Sequence, residues 1–237
     1  MSVASAMATG GSVKLFGGPV SPYVNRVVMA LEMKSVEYEL VEMYPHQKPE
    51  LLSKINPVHK KIPVLVHGDR PICESLIIVQ YIDEAWTNGP SILPTDPYDR
   101  AIARFWAAFV DDKFFPLLRQ MREADGEEAK MLVFEKVVEA SLLLEEAFIN
   151  CSKGKAFFGG DNVGYLDIAL GSFVGHLRAM EMMNAAYKVL DETKTPRLAA
   201  WAERLYSDSL VKDVMLDPQE LAERLKKFHA MSKPDSN

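Results

Sequence analysis

The alternation of apolar and polar residues predicts a strand, a helix and a second strand at the start of this chain. Residues 13–16 alternate as in a half-buried strand, and the glycines and proline at 17–19 end it. A helix is predicted from Pro22, because apolar residues follow at helical spacing and Ser21 suits the N-cap position. Residues 36–41 read as the second strand, and a helical crossover between two strands implies that they are parallel.

The chain that follows is predicted to complete a small mixed sheet. Residues 50–55 predict a short helix, residues 60–66 an apolar strand and residues 71–73 its hairpin partner. Residues 76–82 do not alternate, and Trp86 continues a 3.6-residue period, so this run is predicted to be a helix. The order β, α, β, α, β, β, α is the thioredoxin-like arrangement, an α/β fold with helices on both faces of the sheet.

Apolar residues after this region recur only at helical spacing, which predicts an all-α bundle. A proline-rich and glycine-rich segment at 88–97 interrupts all periodicity and marks the domain boundary. The predicted organisation is a flexible tail at 1–12, a thioredoxin-like domain at 13–90, a linker at 91–97 and the helical domain at 98–237. The helical stretches are 100–120, 127–148, 165–183, 196–205 and 218–228.

One helix start in the bundle has a specific signal. Gly164 can serve as an N-cap, Asp167 follows three residues later, and Val163 and Ile168 occupy the positions of a hydrophobic staple. A carboxylate at this position accepts hydrogen bonds from backbone N–H groups. We therefore interpret Asp167 as a buried structural residue.

Composition and charge exclude several classes of protein. The net charge of -6 argues against general binding to nucleic acid or to anionic membranes. The longest apolar runs, such as 62–66, are far shorter than the roughly 20 residues that span a bilayer. Cys73 and Cys151 form no C-x-x-C pair and no secretory signal is visible, so a cytoplasmic protein is expected.

Common catalytic motifs are missing from the sequence. The five histidines show no metal-ligand spacing, so no metal site is expected. The glycine pairs at 17–18 and 159–160 fit neither the Walker nor the dinucleotide fingerprint. No G-x-S-x-G motif surrounds a serine, which argues against a triad hydrolase.

Ser21 is the first candidate for chemistry. A hydroxyl at a helix N-terminus lies among unpaired backbone N–H groups and the positive end of the helix dipole, where an anion such as a thiolate is favoured. Taken alone, a serine before a proline and an apolar helix is an ordinary N-cap. The functional interpretation therefore depends on the groups expected nearby.

Together, those groups are expected to form a pocket for a small zwitterionic peptide with a thiol. Pro63 lies near the head of a strand, where a cis proline would leave the backbone of Ile62 available to an extended peptide. Glu74 and Ser75 precede the next helix, where a carboxylate accepts from an ammonium group and a hydroxyl with backbone N–H groups binds a carboxylate. Lys48, in a loop, supplies a positive charge, although each of these residues alone is unremarkable on a protein surface.

These residues belong to longer sequence motifs, and together the motifs make the chain resemble one protein family. The chain resembles the cytosolic glutathione transferases, and within them the plant tau class, over about residues 13–230. The motifs are Ser21-Pro22-Tyr23 with Arg26-Val27, Asn56-Pro57-Val58-His59-Lys60-Lys61-Ile62-Pro63-Val64-Leu65, Glu74-Ser75-Leu76-Ile77-Ile78, Gln80-Tyr81-Ile82-Asp83-Glu84 and Arg104-Phe105-Trp106. Tyr23 stands where the class usually has phenylalanine, which removes no catalytic group.

The resemblance implies roles for individual residues. Ser21 would be the catalytic hydroxyl, and Lys48, Ile62, Glu74 and Ser75 would bind glutathione, with no cofactor beyond that co-substrate. A homodimer is implied, with each bundle supplying a pocket for a hydrophobic electrophile. Candidates for that pocket are Phe109, Asp111, Phe115, Arg119 and Phe228, although helical spacing alone would assign most of the aromatic ones to core packing.

The predicted activity is conjugation of reduced glutathione to hydrophobic electrophiles, a detoxification reaction, with accessory peroxidase activity on organic hydroperoxides. Thiol–disulfide exchange or dehydroascorbate reduction would need a cysteine at position 21, where this sequence has serine. A non-catalytic carrier of hydrophobic metabolites is an alternative from a different class, and nothing in the sequence excludes it.

Overall fold

The chain separates after Ile92 into two units, and residues 213–215 belong to the first of them. The structure, a computed structural model, describes residues 11–43 and 49–232, with side chains as far as residue 227. The predicted N-terminal tail therefore lies outside the described residues except for Gly11 and Ser12.

A mixed four-stranded sheet forms the centre of the first unit. Its strands are β1 (Val13–Gly17), β2 (Glu39–Glu42), β3 (Val64–His67) and β4 (Arg70–Cys73), in the order β2-β1-β3-β4. β1 is parallel to β2 and antiparallel to β3, and β3 and β4 form a hairpin. The thioredoxin-like arrangement predicted from the sequence is confirmed.

Two strands begin later than the sequence pattern predicts. β2 starts at Glu39 and β3 starts at Val64. The chain before β3 cannot join the ladder, because Lys60 has a left-handed backbone with a φ of 52° and Pro63 has no N–H to donate. The apolar residues Ile62 and Pro63, which continue the run of β3, had extended the predicted strand towards its N-terminus.

Helices cover both faces of this sheet. They are α1 (Pro22–Met33), α2 (Pro49–Ile55) and α3 (Ser75–Ala85). On one face, Leu52 of α2 packs in a buried cluster with Met43 and Val64. On the other, α1 passes so close to the end of β1 that a Cβ on Gly17 would collide with the side chain of Val24. Glycine at this position therefore permits the close approach of helix and strand.

A buried ion pair joins the end of α1 to α3. Lys34 Nζ lies 2.7 Å from Asp83 Oδ1, and the two side chains are 2% and 10% exposed. The same Asp83 oxygen accepts a hydrogen bond of 2.9 Å from the backbone N–H of Ile92. The further hydrogen bond on the carboxylate helps to offset the cost of burying the two charges, and the contact ties the end of α1 to α3.

The second unit is helical, which confirms the predicted all-α bundle. Its only strand-like pairing among the described residues is an isolated bridge between Phe157 and Gly160. No helix in the described ranges combines the length and apolarity needed to cross a membrane. The α-helices are α4 (Pro97–Phe109), α5 (Phe115–Glu123), α6 (Glu127–Ser152), α7 (Tyr165–Gly171), α8 (Val174–Met183), α9 (Pro196–Ser207), α10 (Ser209–Lys212) and α11 (Pro218–Ser232).

Residues 100–120 are helical, as predicted, but they do not form one continuous α-helix. A π-helical turn, Val110–Phe114, separates α4 from α5. Pro116, at the start of α5, has no N–H to donate to the residue four positions earlier, so the regular hydrogen-bond pattern cannot continue through this point. The stretch at 165–183 is likewise interrupted, between Gly171 and Val174, to give α7 and α8.

Asp167 is fully buried at the start of α7. Its Oδ1 accepts from Phe158 N at 2.9 Å and from Trp201 Nε1 at 2.7 Å. Its Oδ2 accepts from Gly159 N at 2.8 Å and from Gly164 N at 2.9 Å. Burial raises the pKa of this carboxyl to about 6, while the four hydrogen bonds lower it. One side chain thus ties the loop before α7 and the helix α9 to the helix start.

We predict that Asp167→Asn destabilises the protein by about 3 kcal/mol, because the new NH₂ group faces two N–H donors and leaves them buried without an acceptor. Urea unfolding of both proteins measures the difference. Asp161→Asn is the matched control, because Asp161 forms an exposed ion pair with Lys155 and should change stability by less than about 1 kcal/mol. Equal effects of the two substitutions would contradict the structural role of Asp167.

Candidate functional site

The register of the sheet brings three separate chain segments to one end of it. Phe16 in β1 pairs with Val64 in β3, and Val64 pairs with Cys73 in β4. The end of β1, the start of β3 and the end of β4 therefore lie side by side. We call this the site end of the sheet. Ser21 follows β1, the dipeptide Ile62–Pro63 precedes β3, and Glu74 and Ser75 follow β4, so these five predicted residues share the site end.

Ser21 is the N-cap of α1. Its backbone is extended, with φ of -90° and ψ of 118°, and Pro22 occupies the first turn of the helix. The Ser21 hydroxyl is partly exposed and accepts from Val24 N at 3.4 Å, which is long for a hydrogen bond. A hydroxyl that only accepts in a cap retains its own O–H as a donor. This O–H sits at the positive end of the α1 dipole.

Ser75, the first residue of α3, accepts a hydrogen bond from a side chain of α1. Arg26 Nη1 donates a hydrogen bond of 3.2 Å to Ser75 Oγ, and both residues are buried. The Arg26 guanidinium also lies 5.1 Å from the ring centre of Tyr23. Arg26 therefore links the N-terminal half of α1 to the first residue of α3 and places a fully buried positive charge beneath the site end.

Glu74 adopts a backbone conformation that non-glycine residues rarely occupy. Its φ is 68° and its ψ is 115°. Such a conformation costs on the order of 1–3 kcal/mol, and residues held in this way concentrate at functional sites. The Glu74 side chain is 55% exposed, and its Oε1 lies 3.7 Å from Nε2 of His59.

Ile62 and Pro63 are joined by a cis peptide bond, as the sequence led us to expect at this position. Pro63 is buried and Ile62 is partly exposed. Lys48, the remaining predicted glutathione ligand, lies outside the described residues.

The candidates for an electrophile pocket belong to the second unit. Phe109 is the last residue of α4 and contacts Trp106 edge to face, with ring centres 5.4 Å apart. Phe115 begins α5 and packs against the buried ring of Phe173 at 4.5 Å. Asp111 lies in the π-helical turn. Phe228 lies in α11, but its side chain is outside the described part of the chain.

Two surface grooves of this unit contain some of these candidates. A groove of about 610 Å³ is lined by Phe109 with Phe105, Leu117 and residues of α6. Arg119 lines a second groove, of about 520 Å³, with neighbours on α5 and at the start of α6. Within the second unit taken by itself, Phe109 and Arg119 therefore line different grooves.

Sequence reasoning missed two buried polar residues that support the site end. Arg26 and Asn56 both lie in motifs that carry the family resemblance, but neither was given a role. For Arg26, the sequence does carry a signal, which is a charged side chain on an otherwise apolar face of the predicted helix. The sequence carries no comparable signal for the hydrogen-bond partners of Asn56.

The two cysteines offer little thiolate at neutral pH. Burial, assisted by the charge of Glu74, raises the pKa of the Cys73 thiol. Burial also raises the pKa of Cys151, with contributions from Asp99 and Asp167. The described residues contain no group of three or more His, Cys, Asp or Glu side chains arranged to hold a metal ion.

Comparison with known proteins identifies relatives that match most of the chain. The family model described as "Glutathione S-transferase, N-terminal domain" matches residues 11–84. Glutathione S-transferase U17 of Arabidopsis thaliana is 56% identical over 217 residues, which cover 91% of this chain and 95% of that protein. Glutathione S-transferase U18 of the same plant is 55% identical with the same coverage.

Solved structures agree with these sequence relatives. The tau class glutathione S-transferase of mango, Mangifera indica, is 56% identical with a TM-score of 0.87, and the match covers 91% of this chain and 98% of that one. Rice GST1, solved in complex with glutathione, is 32% identical with a TM-score of 0.83 and coverage of 94% and 99%.

Together, the fold and the site end define a protein with a thioredoxin-like unit followed by a helical unit. The chain belongs to the glutathione transferase family and, within it, to the plant tau class.

We predict that Cys73 is alkylated by iodoacetamide at neutral pH at least about tenfold more slowly than free cysteine, because its raised pKa and partial burial limit the thiolate. The measurement uses Cys151→Ser, in which Cys73 is the only thiol. The same variant unfolded in urea is the control and should react at the rate of free cysteine. A native rate equal to the unfolded rate would contradict the raised pKa.

Proposed function

We propose that this protein conjugates reduced glutathione to hydrophobic electrophiles, with the Ser21 hydroxyl donating a hydrogen bond to the glutathione sulfur. The observation that carries the proposal is the place of Ser21: it caps α1 at the site end, where Glu74 and Ser75 also lie. Membership of the tau class and the glutathione bound to the rice relative support the same function.

The role of Ser21 is to favour the thiolate over the thiol. A cysteine thiol has a pKa of about 8.5, and a hydroxyl donor together with a helix N-terminus stabilises its anion. The thiol proton is released to solvent. The thiolate then forms a carbon–sulfur bond with the electrophile, either with loss of a leaving group or by conjugate addition.

The other groups at the site end fit the rest of the tripeptide. The Glu74 carboxylate accepts from the γ-glutamyl ammonium, and the Ser75 hydroxyl with the N–H groups that begin α3 takes the adjacent carboxylate. The Ile62 backbone pairs with the cysteinyl residue of glutathione, and Lys48 supplies a positive charge. Glutathione is the only small molecule besides the electrophile that this scheme requires.

The candidates for the electrophile pocket remain Phe109, Asp111, Phe115, Arg119 and Phe228, of which Phe109 and Arg119 line two different grooves of the second unit. The proposed assembly is a cytoplasmic homodimer. The apolar character of the aromatic candidates favours hydrophobic electrophiles recognised by shape. Because organic hydroperoxides need only the same activated thiolate, peroxidase activity accompanies conjugation.

We predict that Ser21→Ala lowers turnover with glutathione and an activated aryl halide roughly a hundredfold, since one such donor contributes about 3 kcal/mol in the transition state. Steady-state kinetics at saturating glutathione measure the loss. Because the cap bond to Val24 N is long, the free energy of unfolding should fall by less than about 1 kcal/mol.

Asp96→Ala is the matched control. Asp96 caps α4, and its side chain accepts from the backbone N–H groups of Tyr98 and Asp99 at 2.9 Å. This variant loses about 1 kcal/mol of stability and should retain turnover. Unchanged turnover in Ser21→Ala would refute the role of Ser21. A protein that binds the aryl halide but forms no conjugate, with or without Ser21, would be a carrier.

A further inference from the structure

Asn56 lies directly after α2, and all of its polar groups are used. Its side-chain Nδ2 donates to the Lys61 carbonyl at 2.9 Å, and its Oδ1 accepts from His59 N at 3.1 Å. Its backbone N–H donates to the Leu52 carbonyl at 2.8 Å, and its backbone carbonyl accepts from Lys60 N at 2.9 Å. The residue is 2% exposed. One buried amide thus holds both ends of the turn formed by residues 59–61.

The bond to Lys61 fixes the backbone that enters the site end. The Lys61 carbonyl and the Ile62 N–H belong to one peptide group, and that group is planar. When Asn56 orients the carbonyl, it also orients the N–H on the opposite side. The Ile62 backbone, which the proposed function assigns to the cysteinyl part of glutathione, is therefore set by the Asn56 amide.

The bond to His59 acts on another part of the same site. His59 N is held by Asn56, and the His59 imidazole lies 3.7 Å from the Glu74 carboxylate. The Cys73 thiol, next to Glu74, lies 3.7 Å from the carbonyl of Ile55, the residue before Asn56. Through the His59 imidazole, the turn that Asn56 holds also borders Glu74, the residue proposed to receive the γ-glutamyl ammonium.

The exposure of the turn makes an internal support necessary. Residues 57–61 are all exposed, and Lys60 has a φ of 52°, so little packing holds this backbone in place. Buried hydrogen bonds to a rigid element are the usual means of holding a binding loop in one geometry. α2 provides that element, since Leu52 is buried in the core beneath it.

We propose that Asn56 is a positioning residue for glutathione binding, acting through the Lys61–Ile62 peptide and the His59 turn. This inference rests on the proposed function. Only an amide satisfies the geometry, because it presents one donor and one acceptor on the same short side chain. An aspartate of the same shape would still accept from His59 N but would place an acceptor against the Lys61 carbonyl.

The test is calorimetric titration of reduced glutathione into the unsubstituted full-length protein and into Asn56→Asp. We expect the Kd for glutathione to rise at least about tenfold in Asn56→Asp, because one buried hydrogen bond is replaced by a repulsive contact. In steady-state assays the KM for glutathione should rise similarly, while kcat at saturating glutathione stays within about twofold, as expected for a residue that affects binding alone.

Leu31→Ala is the control for a purely structural effect. Leu31 is fully buried near the end of α1 and is distant in sequence from the turn. Its truncation should lower the free energy of unfolding, because it leaves a cavity in the core of the first unit. Its Kd for glutathione should stay within about twofold of the unsubstituted protein. If Leu31→Ala weakened binding as much as Asn56→Asp, general destabilisation would explain the effect and the inference would be wrong.

The remaining outcomes separate this inference from the function on which it rests. Unchanged affinity in Asn56→Asp, with normal binding by the unsubstituted protein, would overturn the role of Asn56 and leave the proposed function intact. Failure of the unsubstituted protein to bind glutathione would overturn the proposed function and the role of Asn56 together.

Discussion

The antiparallel pairing of β1 with β3 is the constraint on which the site depends. It places the chain after β1 beside the chain before β3, and the hairpin of β3 and β4 adds the chain after β4 to the same end. Without this register, Ser21 would be an N-cap and Glu74 an exposed carboxylate. The backbone hydrogen bonds of the sheet hold the two residues at the same end. This register is strongly favoured, because a shift by one residue would turn the buried faces of the strands towards solvent.

Buried polar contacts beneath the site end give its groups fixed directions. Arg26 holds the Ser75 hydroxyl from α1, and Asn56 holds the backbone that leads into Ile62. Glu74 keeps a left-handed backbone between the end of β4 and the start of α3. Groups that are already oriented need little rearrangement when a charged ligand arrives, which is how such sites stabilise an anion efficiently.

Local patterns predicted the order of the elements and most of the candidate site. Ser21, Glu74 and Ser75 could be located because helix starts have their own residue preferences. The start of β3 was misplaced because Pro63 lacks the N–H that the ladder needs but is apolar, so it does not break the apolar run that begins at Ile62. The π-helical turn at 110–114 was missed because the apolar period continues through it. The hydrogen bond between Arg26 and Ser75 joins residues far apart in sequence, and periodicity carries no information about such partners.

The central claim is that the site end stabilises the thiolate of bound glutathione. Ultraviolet absorbance of the thiolate, followed against pH with glutathione bound to the protein, measures this directly. We predict that the pKa of the bound thiol lies below the value of about 8.5 of a cysteine thiol, and that the shift is largely lost in Ser21→Ala. A bound thiol that titrates with the same pKa as free glutathione would contradict it.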